Sequence, residues 1–201
     1  MLFINIDGCN GVGKTSTIIP LKNKLESKGL KVKVIHFHRR GTLIGNTIQK
    51  ILNGEAKLDM ESLQMLYAVD QLDFSNNEYY QLEKENYDIL ISDRYCTSLL
   101  AIGTAMGLDL EHLKSFTLHL KKPNVNFILT AEPKEILKRV STQEYVEGQT
   151  GDIFEEEAKL NKIMNSYKNL HNIMKNVMEI DTTVSTEKAA NEIFNYLEKL
   201  M

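Results

Sequence analysis

Tryptophan is absent from this 201-residue chain, proline occurs three times and cysteine twice. Cys9 and Cys96 form neither a disulfide framework nor a metal-ligand spacing, and they read as the reduced thiols of a cytoplasmic protein. No stretch is long and apolar enough to cross a bilayer, and the opening "MLFINIDG" has no basic region ahead of an apolar run. Neither a membrane span nor a secretory signal is expected. Basic excess is missing too: 24 Lys and Arg stand against 27 Asp and Glu, for a formal net charge of −3. That balance gives no global attraction to nucleic acid or to an anionic membrane. Repeats, low-complexity tracts and linkers are also lacking. What remains is an ordinary globular composition, 42% hydrophobic and 25% charged, at a length suited to one α/β domain over residues 1–201.

The apolar pattern alternates between two periods. Short apolar runs at 2–7, 31–37, 87–93, 124–131 and 176–181 read as buried strands. Helical spacing occupies 14–28, 43–52, 59–86, 97–106, 109–121, 153–176 and 185–200, and another helix opens at Pro133. Pro20 is expected to bend or interrupt the first helix. Residues 141–152, "STQEYVEGQTGD", are polar and read as a loop. Strands alternating with helices imply a five-stranded parallel sheet covered on both faces, a three-layer α/β/α fold.

The most informative stretch is "GCNGVGKTS", residues 8–16. Gly8, Gly13, Lys14 and Thr15 satisfy G-x-x-x-x-G-K-[ST] between a strand and a helix, the context that this phosphate-binding loop requires. Its glycines let the backbone curl so that N–H groups point at phosphate oxygens, and the helix N-terminus adds positive potential. Asn10, Gly11 and Ser16 complete the loop. Lys14 is expected on the β- and γ-phosphates of ATP, and Thr15 on Mg²⁺. Asp93, closing "ILISD", is the candidate carboxylate for the same metal, and Asp7, at the end of the first strand, is a weaker candidate for positioning metal-bound water or a nucleophile.

Such loops serve kinases, GTPases and motors alike. A guanine-reading N-K-x-D segment is missing, because "NKL" at 23–25 continues with Glu26 inside a helix. A small kinase needs a second anion site, and the planar fork of arginine suits it. The chain has four arginines. Arg39, Arg40 and Arg94 lie just past strand ends, at the carboxyl edge where parallel sheets bind ligands, and Arg139 lies in the helix leading to the polar loop.

In this order of motifs the chain resembles the thymidylate (dTMP) kinases over most of its length. "FINIDGCNGVGKTS", "FHRRGT", "LQMLYAVDQ", "DRYCTS" and "ILKRV" carry the likeness, "DRYCTS" most specifically. The resemblance implies a P-loop NTPase fold with a lid at about 141–154, and a homodimer. It implies ATP-dependent phosphorylation of a nucleoside monophosphate, dTMP before others. Arg40 and Arg94 would hold the acceptor phosphate, with Asp93 beside metal and transferring group. Tyr67 would stack on the acceptor base, Tyr95 would flank the sugar with Ser98 nearby, and Arg139 would lie against the donor adenine.

Three departures concern the acceptor. Asn10 stands where the family keeps an aspartate for the sugar hydroxyl, Gln71 where it keeps an arginine for the thymine carbonyl, and Gly103, followed by Thr104, where it places a Thr or Gln. A carboxamide both donates and accepts, so Gln71 can still read a base edge, and that edge need not be thymine. Another pyrimidine nucleotide or a nucleoside is therefore an alternative acceptor. The family's lid or loop arginine is also missing, leaving Lys159 and Lys162 as substitutes, and a nucleotide-binding protein with weak or no transfer is the third reading.

Overall fold

The computed structural model describes residues 1–142 and 157–201, with the side chains of residues 141 and 142 left out. The expected lid lies outside the described residues, apart from the backbone of residues 141 and 142. Five strands form one parallel sheet: β1 (Leu2–Asp7), β2 (Val32–His36), β3 (Ile89–Asp93), β4 (Val125–Thr130) and β5 (Val177–Asp181). Their spatial order is β2-β3-β1-β4-β5, so the first strand is central and the chain crosses over between neighbours. Successive residues of β1 point to opposite faces. Ile4 and Ile6, with Ile89 and Ile91 of β3, pack with Ile18, Leu21 and Leu25 of helix α1 (Lys14–Ser27). Phe3 and Leu90 face an aromatic cluster of Phe37, Phe74, Tyr79 and Tyr95 on the other side. Apolar residues on both faces of the central strands explain why these runs are continuous rather than alternating.

Two elements differ from the periodicity. α1 runs unbroken through Pro20, because Ile18, Leu21 and Leu25, nearly or fully buried against the sheet, hold it on either side of the missing N–H. The long helix expected over 59–86 is two: α3 (Met60–Asn76) and α4 (Glu78–Lys84), broken at Asn77, whose backbone leaves helical geometry. The break brings Glu78 round to Arg39, which also pairs with Asp70 and Asp73 from α3.

Helix α2 (Leu43–Leu52) starts at Thr42, whose hydroxyl accepts from the N–H of Gly45. The remaining helices are α5 (Cys96–Ala105), α6 (Leu110–Phe116), α7 (Pro133–Thr142), α8 (Glu157–Lys168) and α9 (Thr186–Glu198), with a 3-10 turn at Asn169–Asn172. α7 thus takes in residues 141 and 142, which the polar composition assigns to a loop. Both cysteines are free and buried. No described helix is long and apolar enough to cross a membrane.

Candidate active site

β1 ends at Asp7, β2 at His36 and β3 at Asp93, and the parallel register sets Asp93 beside both Ile6 and His36. A cavity of about 1420 Å³ opens over this edge. Its wall contains Asn10, Gly11, Gly13, Lys14, Thr15 and Ser16 of the loop, with Asp93 at the end of β3 and Arg94 just after it. Arg40, Tyr67, Gln71 and Ser98 line it as well.

The loop is curled as its glycines predict. Gly13 caps α1 with φ 101°, and a Cβ there would approach Thr186 to 2.7 Å. Gly8 has φ 143°, and a Cβ would meet the Leu129 carbonyl oxygen at 2.6 Å. Both φ values are strained for any residue with a side chain, and at Gly8 the obstacle is backbone. Gly8 lies beneath the cavity rather than in its wall, and its carbonyl accepts from Lys14 Nζ at 3.2 Å and from Arg94 Nη1 at 3.2 Å. Lys14 also donates to the Cys9 carbonyl at 2.9 Å. Desolvation and the neighbouring Arg94 charge lower the Lys14 ammonium to about 8. The first turn of α1 adds N–H groups without intrahelical acceptors, so cation and dipole converge on one spot.

Arg94 follows β3 in the left-handed region, φ 68°, which a non-glycine residue adopts only where the surroundings enforce it. The enforcement is visible: its guanidinium donates to the Gly8 carbonyl, to Ser98 Oγ at 3.2 Å and to Asn10 Oδ1. Behind it, Asp7 is fully buried and accepts from Thr97 Oγ1 at 2.5 Å, Ser98 Oγ at 2.6 Å, Tyr167 OH at 2.8 Å and the Gly8 N–H at 2.8 Å. Asp7 is therefore a structural hub that anchors Arg94 at 3.7 Å, rather than a residue for metal or water. Tyr167 is a member of this network that no local signal in the sequence points out.

Asp93 is the opposite case. Burial alone would raise its carboxyl, but a hydrogen bond from His36 and the charges of Lys14 and Arg94 outweigh it and lower the pKa. Oδ1 of Asp93 is buried and has no hydrogen-bond partner among the described residues. An ionised, orphaned carboxylate oxygen in the charge field of Lys14, on a cavity that Thr15 also lines, fits a divalent cation accompanying a polyphosphate.

Other expected site residues are placed differently. Arg39 and Arg40 are adjacent, yet Arg39 is buried in its acidic clamp while Arg40 is exposed at the cavity. Tyr95, expected at the sugar, contributes to the wall, but its side chain is buried among Phe3, Phe37 and Phe74 and its hydroxyl bonds Ser75 Oγ at 2.8 Å. Arg139 lies outside the wall, where it donates to the Val12, Thr182 and Thr183 carbonyls and braces the loop from behind. Gly103 is packed against Leu113, and α5 presents Ser98, Leu99 and Ile102 to the cavity instead of Gly103 or Thr104. Gln71 is in the wall, only 2% exposed, with Oε1 lacking a partner among the described residues.

The Arg40 side of the cavity depends on a close approach. A Cβ on Gly45 would lie 1.9 Å from the Arg39 carbonyl oxygen. Gly45→Ala is expected to push α2 off the 39–42 turn and to cost about 1–3 kcal/mol in urea unfolding, as overpacking against rigid backbone does. The same variant should weaken ligand binding on the Arg40 side more than on the loop side, read as two separate dissociation constants.

Comparison with known proteins places the chain in a family. A family model described as Thymidylate kinase matches residues 6–193. A protein named probable thymidylate kinase from Methanocaldococcus jannaschii is 30% identical over 200 residues, which cover 99% of this chain and 97% of the relative. Another of that name, from Methanosphaera stadtmanae, is 30% identical over 203 residues, covering 100% and 99%. Among solved structures, the thymidylate kinase of Candida albicans superposes with a TM-score of 0.74 at 21% identity, over 98% of this chain and 91% of that one.

Proposed function

The chain belongs to the thymidylate kinase family of phosphotransferases, and from that premise we propose that it moves the γ-phosphoryl group of ATP onto the 5′-phosphate of dTMP, giving dTDP and ADP. The observation that carries the reading is the convergence of Lys14, Asp93, Arg94 and Arg40 on one cavity above the phosphate loop. Lys14 and the loop N–H groups hold the donor phosphates. Thr15 and the open oxygen of Asp93 are the groups that would hold Mg²⁺, which when bound neutralises charge on the phosphates. Arg94 and Arg40 grip the acceptor phosphate from the opposite side, and Asn10 is held between loop and acceptor by its bond to Arg94. Family likeness supports a cytoplasmic homodimer.

Catalysis in this arrangement is positioning plus charge neutralisation. A monophosphate acceptor is already an anion at neutral pH and needs no base to attack. The chain must bring two anions together and keep them in line, and three cations in the wall offset their repulsion. Ser98 and Asp7 keep Arg94 from swinging away.

At the base end, the ring of Tyr67 lies 6.1 Å from that of His38, and Gln71 closes the wall. A buried acceptor without a donor costs roughly 1–3 kcal/mol, which a ligand N–H relieves. This favours an acceptor whose ring edge carries an N–H beside a second polar atom, as thymine, uracil and cytosine all do. Another pyrimidine monophosphate is the second reading.

The test is purified protein with Mg-ATP and a panel of nucleosides and nucleoside monophosphates, with products resolved chromatographically. Transfer to dTMP supports the first reading, and transfer confined to nucleosides sinks it. ATP binding with no transfer to any acceptor makes the protein a nucleotide binder instead. Gln71→Arg offers donors only, so it is expected to favour thymine over cytosine by about tenfold in kcat/KM, since one well-placed polar contact is worth about 1–2 kcal/mol. An unchanged panel would place Gln71 outside the base contact.

A further inference from the structure

One side chain that the sequence does not single out touches a member of the proposed machinery. His36 closes β2, and the parallel register puts it beside Asp93 at the end of β3. Backbone pairing locks the placement, because the Phe37 N–H donates to the Asp93 carbonyl at 3.0 Å. The His36 ring reaches across with Nδ1 2.9 Å from Asp93 Oδ2. An ionised carboxylate can only accept, so Nδ1 carries the hydrogen and donates. The remaining oxygen, Oδ1, is the buried one without a partner. The two oxygens of one carboxylate are thus in different states: one committed, one open.

We propose that His36 is a positioning residue, which holds the Asp93 carboxylate so that Oδ1 is presented to the divalent cation accompanying the nucleotide donor. This rests on the reading of Asp93 given above. An aspartate side chain turns about two bonds, and a hydrogen bond from a neighbouring strand removes that freedom before any cation arrives. The nearby cations do not perform this task. Lys14 is directed to the Gly8 and Cys9 carbonyls, and Arg94 to Gly8, Ser98 and Asn10. Among the described residues, His36 is the side chain that hydrogen-bonds Asp93.

The His36 side chain is 62% exposed in the cavity, so replacing it leaves the core intact. That separates a positioning role from a folding role.

Cation binding, read without turnover, tests the proposal. The protein is saturated with a non-hydrolysable ATP analogue and titrated with Mn²⁺, with free Mn²⁺ counted by electron paramagnetic resonance. His36→Leu is expected to weaken Mn²⁺ in the ternary complex by about tenfold or more, the usual effect of losing a group that orients a metal ligand. Affinity for the analogue without metal should not change. His36→Asn puts an amide nitrogen near the Nδ1 position and is expected to restore most of the loss. Equal Mn²⁺ affinity in wild type and His36→Leu overturns the role of His36 while leaving Asp93 in place. A loss that His36→Asn fails to restore overturns it as well, since the hydrogen bond is then not the cause. Wild-type complex that binds Mn²⁺ no more tightly than the analogue alone overturns the reading of Asp93, and this proposal with it.

Discussion

Lys14→Ala is expected to lower kcat/KM for ATP by about 10²–10³-fold, the scale on which one preorganised donor to developing charge contributes, with little change in thermal midpoint. Among the described residues Lys14 donates to the Gly8 and Cys9 carbonyls, both in the loop it follows. Removing it takes away no core packing and leaves the glycine geometry of the loop as it was. Desolvation already lowers the ammonium to about 8, so the fold holds this charge at a cost and recovers it when an anion approaches. Lys14→Arg should not rescue, because the guanidinium is larger and planar where a compact charge is required. Steady-state kinetics paired with a melting curve checks both halves. Full activity in Lys14→Ala would remove the phosphate-loop argument altogether.

The second large effect is on stability. Arg39→Met should cost about 3–5 kcal/mol in urea unfolding, the range for stranding one member of a buried ion pair. Arg39 donates from Nε to Asp70 at 3.0 Å, from Nη2 to Asp73 at 2.6 Å and from Nη1 to Glu78 at 3.2 Å. Asp73 and Glu78 are partly exposed and can turn to water. Asp70 is fully buried and cannot; without the guanidinium its one remaining donor among the described residues is the Arg39 N–H at 2.9 Å. Asp70→Asn in the Arg39→Met background is therefore expected to recover part of the loss, which a double-mutant cycle measures. Activity should fall as well, since the clamp fixes the turn that carries Arg40. Loss of stability below 1 kcal/mol would mean that the clamp is ornamental.

These two arginines show where a linear reading stops. Arg39 and Arg40 are neighbours of one type past one strand end, and nothing local separates them. Their fates diverge because α3 and α4 bring three carboxylates to one of them from 31 to 39 residues further along the chain. The break at Asn77 was hidden for the same reason, since the apolar spacing continues across it. Asp7 and Asp93 are a second such pair. Both are aspartates closing apolar strands, yet Asp7 is saturated by donors from α5 and α8 while Asp93 keeps an open oxygen. Nothing local marks His36, because its partner belongs to a strand more than fifty residues later.

By itself the sequence determined the phosphate loop, the alternation of strand and helix, and the parallel sheet that follows from it. Those features depend on contiguous residues: glycines at fixed offsets, a lysine and a threonine opening a helix, apolar runs of strand length. Only the tertiary structure decided which polar residues face the cavity, which are consumed in holding it, and which oxygen of Asp93 is left open. The reason is physical. A side chain's role at this edge is set by whether its hydrogen-bonding groups are already satisfied, and the groups that satisfy them arrive from segments that the sheet order, not the chain order, makes neighbours.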